Sequence, residues 1–109
     1  MTDQLPAPVQ AALDAANRHD SGAFLDLFTS DGFVDDWGRQ FTGREAIRGW
    51  SDAEFIGKRV TLAVTEVAAG RDGAETVVTA QVGGDGFNGP SHFTFRAAGG
   101  QLASMTIRA

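Results

Sequence analysis

The sequence contains no cysteine and no tyrosine. The first absence removes disulfides, thiolate nucleophiles and cysteine metal sites; the second removes the phenol as a hydrogen-bond donor. Histidine is scarce as well, with only His19 and His92 in 109 residues. That is too few for most metal clusters, and the carboxylates show no calcium-loop spacing. Neither a metal nor a cofactor is implied. No apolar run approaches the ~20 residues that span a bilayer, and the opening MTDQLPAP has neither the basic region nor the apolar core of a secretory signal. A cytoplasmic location is the expectation. Positive charge is also in deficit, with 9 Lys and Arg against 14 Asp and Glu for a net charge of -5. That sign repels phosphate backbones and anionic headgroups, so nucleic acid and membrane are not expected partners.

What is present is ordinary for a globular chain: 42% hydrophobic and 21% charged residues, with no low-complexity tract or repeat. A chain of this length supports one core, so residues 1–109 are expected to form a single domain. Pro6 and Pro8 suit a first helical turn, and Val9, Ala12, Leu13 and Ala16 recur at helical spacing up to about His19. Asp20 or Ser21 suits the cap of a second helix, which carries Phe24, Leu27 and Phe28 on one face until Asp31-Gly32 stops it. Phe33 to Phe41 has the pattern of two short strands bent around Trp37-Gly38. Thr42-Gly43-Arg44-Glu45 has capping-box spacing ahead of a third helix with Ala46, Ile47 and Trp50 on one face.

Beyond Gly57, β-branched residues dominate in Val60 to Val67 and in Ala74 to Val82, separated by the turn signal Gly70-Arg71-Asp72-Gly73. His92 to Arg96 and Leu102 to Arg108 complete the strands, with Gly99-Gly100 between them. The expectation is an α+β domain: three helices, then a mostly antiparallel sheet.

Three segments carry a family resemblance: the junction from Asn17 to Phe28, the strand Val34-Asp35-Asp36 and the hairpin HFTFRAAGGQLASM. Their order and spacing resemble bacterial ketosteroid isomerases and the SnoaL-like polyketide cyclases, members of the nuclear-transport-factor-2-like superfamily. The resemblance implies three N-terminal helices packed in the concave face of a strongly curved sheet. It implies a cystatin-like cone enclosing a ligand pocket. Isomerases, cyclases, epoxide hydrolases and non-enzymatic modules all use such cones, so the site has to decide between them.

Carried over residue by residue, the isomerase's general base falls on Asp36, the tyrosine that donates to the enolate oxygen on Ala12, and the acid beside it on Ser91. The base is kept and both strong donors are lost, which removes what is usually the largest catalytic contribution. Strand alternation puts Asp36 on the same face as Val34, where an apolar cavity suits the carboxylate to proton transfer. The plain alternative is a solvated aspartate in the turn before Trp37-Gly38. Ser91 keeps a hydroxyl at the acid's position, with a backbone-bonded strand serine as its alternative.

Phe93, Phe95 and Met105 alternate along the last strands and, with Phe24, Phe28, Val34, Trp37, Trp50 and Phe55, are the expected pocket lining. His92 falls out of phase and is expected on the convex face; His19 suits a helix end, and Glu54 and Arg59 a solvated pocket mouth. The leading functional expectation is an isomerase or cyclase in which Asp36 moves a proton on a small hydrophobic carbonyl compound. Its rival is a non-catalytic ligand-binding or dimerising module. Epoxide hydrolysis ranks below both, because the C-terminal strands offer no second inward aspartate. A homodimer through the convex face is expected.

Overall fold

The computed structural model describes residues 5–71 and 73–109. Helix α1, Ala7–Arg18, starts on Pro6, with a further proline in the first turn, where the missing N–H is no loss. Val9, Ala12, Leu13 and Ala16 are buried on one face. The helix ends on His19, whose left-handed φ of 58° closes it while the imidazole meets the Val60 carbonyl at 2.9 Å. Helix α2, Ser21–Asp26, is capped by Asp20, which accepts from the Ala23 N–H at 3.1 Å.

α2 is shorter than its apolar spacing suggests, for Phe28 already belongs to strand β1, Phe28–Asp36. The final strand takes over the backbone groups that a longer helix would use. Leu102 N–H donates to the Leu27 carbonyl at 2.7 Å, and Phe28 pairs with Leu102. Between Phe28 and Phe33 the register slips, and Gly32 fits there because a side chain would stand 3.2 Å from the Leu102 and Thr29 carbonyls.

β1 and β2, Arg39–Thr42, form a hairpin whose two turn residues, Trp37 and Gly38, both have positive φ, at 56° and 90°. This is the twist that matches antiparallel strands. Helix α3, Arg44–Glu54, follows without the expected capping box. Gly43 is its N-cap and no side chain caps it; Thr42 still belongs to β2, paired with Phe33, one residue too early to cap. A single 3-10 turn, Ile56–Lys58, then leads to β3, Thr61–Ala69.

β4, Glu75–Gly83, β5, Gly89–Ala98, and β6, Gln101–Arg108, complete a six-stranded sheet in the order β2-β1-β6-β5-β4-β3. All neighbours are antiparallel except β1 and β6, so the meander of β3 to β6 is closed by one parallel pairing. The architecture is the α+β cone. Its concave face carries aligned rows. Val34, Met105 and Phe95 form one, and Asp36, Ile107, Phe93 and Val78 the next. α1 and α3 cover these rows with Val9, Leu13, Ile47 and Trp50, all buried. Each such aromatic or aliphatic side chain contributes about 1.5–3 kcal/mol by leaving water.

Candidate functional site

Where α3 and the 3-10 turn lift away from the sheet, a cavity of about 340 Å³ remains. The row that ends in Asp36 forms part of its wall, together with Trp37, Trp50, Phe55, Ser91, Phe93 and Ile107. Alternation along β1 turns Asp36 inward beside buried Val34, and its side chain is 15% exposed. The plain turn reading does not describe it. Asp35, one residue earlier, faces the other way, accepts from the Gly38 N–H at 2.8 Å and pairs with Arg108 at 3.0 Å.

Two donors converge on one oxygen of Asp36. Trp50 Nε1 donates to Oδ2 at 3.0 Å, and Arg39 Nη2 donates to the same atom at 2.5 Å. Trp50 is fixed in turn by stacking on Phe55, with ring centroids 4.9 Å apart. Arg39 is fixed by a two-pronged bond to Glu54, at 2.9 and 2.7 Å. The guanidinium beside Glu54 holds that carboxyl below its ordinary value, and Glu54 first, then Asp36, raise Arg39 further above its own. Oδ1 of Asp36 has no partner among the described residues.

A carboxylate–guanidinium–carboxylate chain therefore does exist. It runs through Asp36, Arg39 and Glu54 on β1, β2 and α3, and not through the C-terminal strands. Glu54 is an exposed charge at the cavity edge, as expected, but is also tied to Arg39; Arg59 is exposed and pairs with Asp85.

Ser91 is only 3% exposed, yet its hydroxyl has no hydrogen bond among the described residues and is not sealed from solvent. It opens into the cavity it lines, so the backbone-bonded alternative does not hold. Ala12 is buried in α1 and contributes no polar group. Trp37 and Phe87, at 58% and 57% exposed, are large apolar side chains on the cavity wall that water still reaches. Among the described residues no group of three His, Asp or Glu is arranged to hold a metal ion.

Of the expected lining, Trp37, Trp50, Phe55, Ser91 and Phe93 border the cavity with Asp36. Phe24, Phe28, Val34, Phe95 and Met105 do not: each is at most 1% exposed and packed in solid core, Phe24 against Phe28 at 5.3 Å and against Phe55 at 5.5 Å. Helices α1 and α2 fill that part of the cone, which leaves those rings no empty space. Residues missed on the wall include Arg39, Lys58, Val60, Val82 and Phe87. Arg39 had a usable signal, since a two-residue turn at Trp37-Gly38 sets it opposite Asp36. Phe87 had a weaker one, as a lone aromatic in a glycine-rich loop.

Against this geometry, the chain is similar to several solved proteins. It is 28% identical to a candidate polyketide cyclase from Sinorhizobium meliloti, over 95% of each chain with a TM-score of 0.83. It is also 28% identical to a protein with a ketosteroid isomerase-like fold from Catenulispora acidiphila, solved in complex with trimethylamine; 97% of this chain and 87% of that one align, with a TM-score of 0.79. A Mycobacterium tuberculosis protein in complex with estradiol-17β-hemisuccinate shares the fold at 20% identity and a TM-score of 0.80, over 97% of this chain and 95% of that one. No protein of curated function matches. The SnoaL-like domain profile matches residues 9–105, and the chain belongs to that family within the nuclear-transport-factor-2-like superfamily.

Proposed function

We propose that this protein binds a compact, mainly apolar carbonyl compound in the cone and moves a proton on it through Asp36, without a cofactor. The observation that carries this reading is the division of labour within one carboxylate. Oδ2 is immobilised by Trp50 and Arg39, while Oδ1 is left free on a largely apolar wall. A base held at one oxygen meets the substrate in a single orientation, and its partners need not move when Oδ1 takes the proton. Glu54 keeps Arg39 in place through that change, because its two bonds do not involve Asp36. The Ser91 hydroxyl is an uncharged donor available to a substrate oxygen, with the Trp37 indole N–H as a second on the same wall.

Binding without chemistry is the second reading, and Ala12 favours it. A serine and an indole are weak substitutes for paired acidic donors. That the same fold accepts a steroid ester in the Mycobacterium tuberculosis protein supports an apolar ligand under either reading. Pairing of two copies belongs to the same proposal. The convex face presents half-buried Val77, Thr94 and Thr106 in one cross-strand row that ends at the Asp35–Arg108 ion pair, an uncharged stretch with a charged edge that suits a second copy. Light scattering at high micromolar concentration tests it, and a monomer removes it.

Proton transfer is tested with 2-tetralone in D₂O, following loss of the α-proton signal by NMR. Catalysis predicts exchange well above the buffer rate and a fall of about 10²-fold or more in Asp36→Asn. Exchange at the buffer rate with tetralone bound leaves the binding module as the function.

A further inference from the structure

Lys58 closes the 3-10 turn after α3 and lines the cavity, but the proton-transfer reading gives it no task. The wall's other cation, Arg39, spends both terminal nitrogens on Glu54 and Asp36. Neighbouring Arg59 pairs with Asp85 at 3.3 Å. Lys58 has no hydrogen bond or ion pair from its ammonium group among the described residues.

Its root is nevertheless held. Lys58 N–H donates to the Phe55 carbonyl at 3.1 Å, and its own carbonyl accepts from Asp85 N–H at 2.8 Å. Its Cβ and Cγ lie 3.4 Å from where a side-chain carbon on Gly86 would stand. The turn and the β4–β5 loop are thus joined at the cavity edge by the Lys58 backbone, with its ammonium carried on an exposed side chain.

The cavity floor runs from Asp36 on β1 past Ile107 on β6 and Phe93 and Ser91 on β5 to Val82 on β4. Three inter-strand steps of ~4.8 Å make that roughly 14 Å, the length of a molecule with two or three fused rings. The charged groups on the wall are Asp36, Glu54, Arg39 and Lys58. The first three are joined by hydrogen bonds, whereas Lys58 makes none from its ammonium among the described residues and acts on Glu54 only through space, as the smallest of the influences that lower that carboxyl. We propose that Lys58 recognises an anion and that the ligand is an elongated, mainly apolar carboxylic acid.

In this arrangement the body of the ligand lies over Phe93 and Phe55, and its carboxylate meets Lys58 at the exposed edge. This assignment rests on the apolar-ligand reading above. At the edge the carboxylate stays partly hydrated, so little desolvation opposes the pair, while the apolar wall beside it strengthens the attraction. A doubly charged phosphate monoester fits less well, since its second charge would face Glu54 uncompensated.

The test compares 2-naphthylacetic acid with its neutral isostere 2-naphthylacetamide by calorimetry at low salt. The acid is expected to bind about fivefold tighter, the factor for a partly exposed ion pair. Lys58→Gln should abolish that preference while leaving amide affinity and melting temperature unchanged, because the side chain is exposed. Lys58→Glu should reverse it. Amide binding without acid preference overturns the role of Lys58 alone. Acid preference that survives Lys58→Gln also overturns it, and loss of that preference in Arg39→Gln would move the anion to Arg39. If neither probe binds, the cavity reading falls and this inference falls with it.

Discussion

Phe93 and Phe95 stand two residues apart on β5, each 1% exposed, with rings stacked 6.4 Å apart, yet only Phe93 borders empty space. The difference lies in what faces each row. Phe95 shares its row with Met105 and Val34 in the part of the cone that is packed solid. Phe93 shares its row with Ile107 and Asp36, and there the cover is Trp50, tethered to Asp36 and stacked on Phe55. One curved sheet thus carries a solid core in one row and the wall of an open cavity in the next. The boundary between them is a single strand step.

The largest expected effect breaks the solid half. Phe95→Ala should cost about 3–5 kcal/mol in urea unfolding, the range for a large ring removed from close packing. Phe93→Ala should cost about 1 kcal/mol less, because its ring already lacks neighbours on one side. It should also weaken 2-tetralone binding, whereas Phe95→Ala should spare binding at temperatures where the variant stays folded. Equal costs with equal binding losses would mean that the two rows do not differ.

Trp50→Phe is the next test. It keeps an aromatic ring on Phe55 and removes the indole donor to Asp36, so stability should fall by about 1 kcal/mol, the net value of one hydrogen bond. Proton exchange should fall too, because Oδ2 is then held by Arg39 alone. Unchanged exchange would remove Trp50 from the positioning of the base.

Asp36→Asn should move stability by under about 1 kcal/mol. An unpaired buried aspartate would be relieved by the change. Here the charge has two partners, so the amide loses an ion pair and gains no relief. Melting temperature should be level or slightly lower, and a rise would show that burial outweighs the pairing.

Most of the fold was legible in the sequence. Helical spacing in α1, a cap at Asp20 or Ser21 and turns at Trp37-Gly38 and Gly99-Gly100 are local signals; the elements stand where the pattern put them, with Asp20 as the cap and positive φ at both turns. The errors fall where a distant strand decides. Phe28 continues a helical stripe, and only β6, more than seventy residues later, draws it into the sheet. Alternation likewise gave the concave face, including Asp36 beside Val34. It had no means of telling a ring over a cavity from a ring over another ring, since both lie inward at the same period. That distinction depends on where α3 leaves the sheet. The Arg39–Glu54 link was hidden for the same reason, as it joins a hairpin to the end of a helix.

The smallest effect concerns two arginine-held carboxyl groups: Asp35 on the outer face of β1, and Glu54 of α3, which shares Arg39 with Asp36 on the inner face. The Arg108 hydrogen bond, aided by the Gly38 N–H and opposed by desolvation, holds Asp35 below its ordinary value, and Arg39 does the same for Glu54. A carboxyl depressed in the folded state contributes stability above its unfolded pKa and loses it as pH falls through the folded value. Melting temperature should therefore be indifferent to these groups between about pH 5 and 7 and decline below about pH 4, the ordinary carboxylate range. Side-chain exposures of 21% for Asp35 and 43% for Glu54 keep each contribution under about 1 kcal/mol. Arg108→Gln and Arg39→Gln should each flatten part of the acid limb by a similar small amount. They should differ in binding, because Arg39 lines the cavity and Arg108 does not. Arg39→Gln should weaken 2-tetralone binding by loosening Asp36, while Arg108→Gln leaves it untouched. If both variants bind alike, the inward pair is no more than a surface ion pair, and the contrast between the two faces of β1 fails.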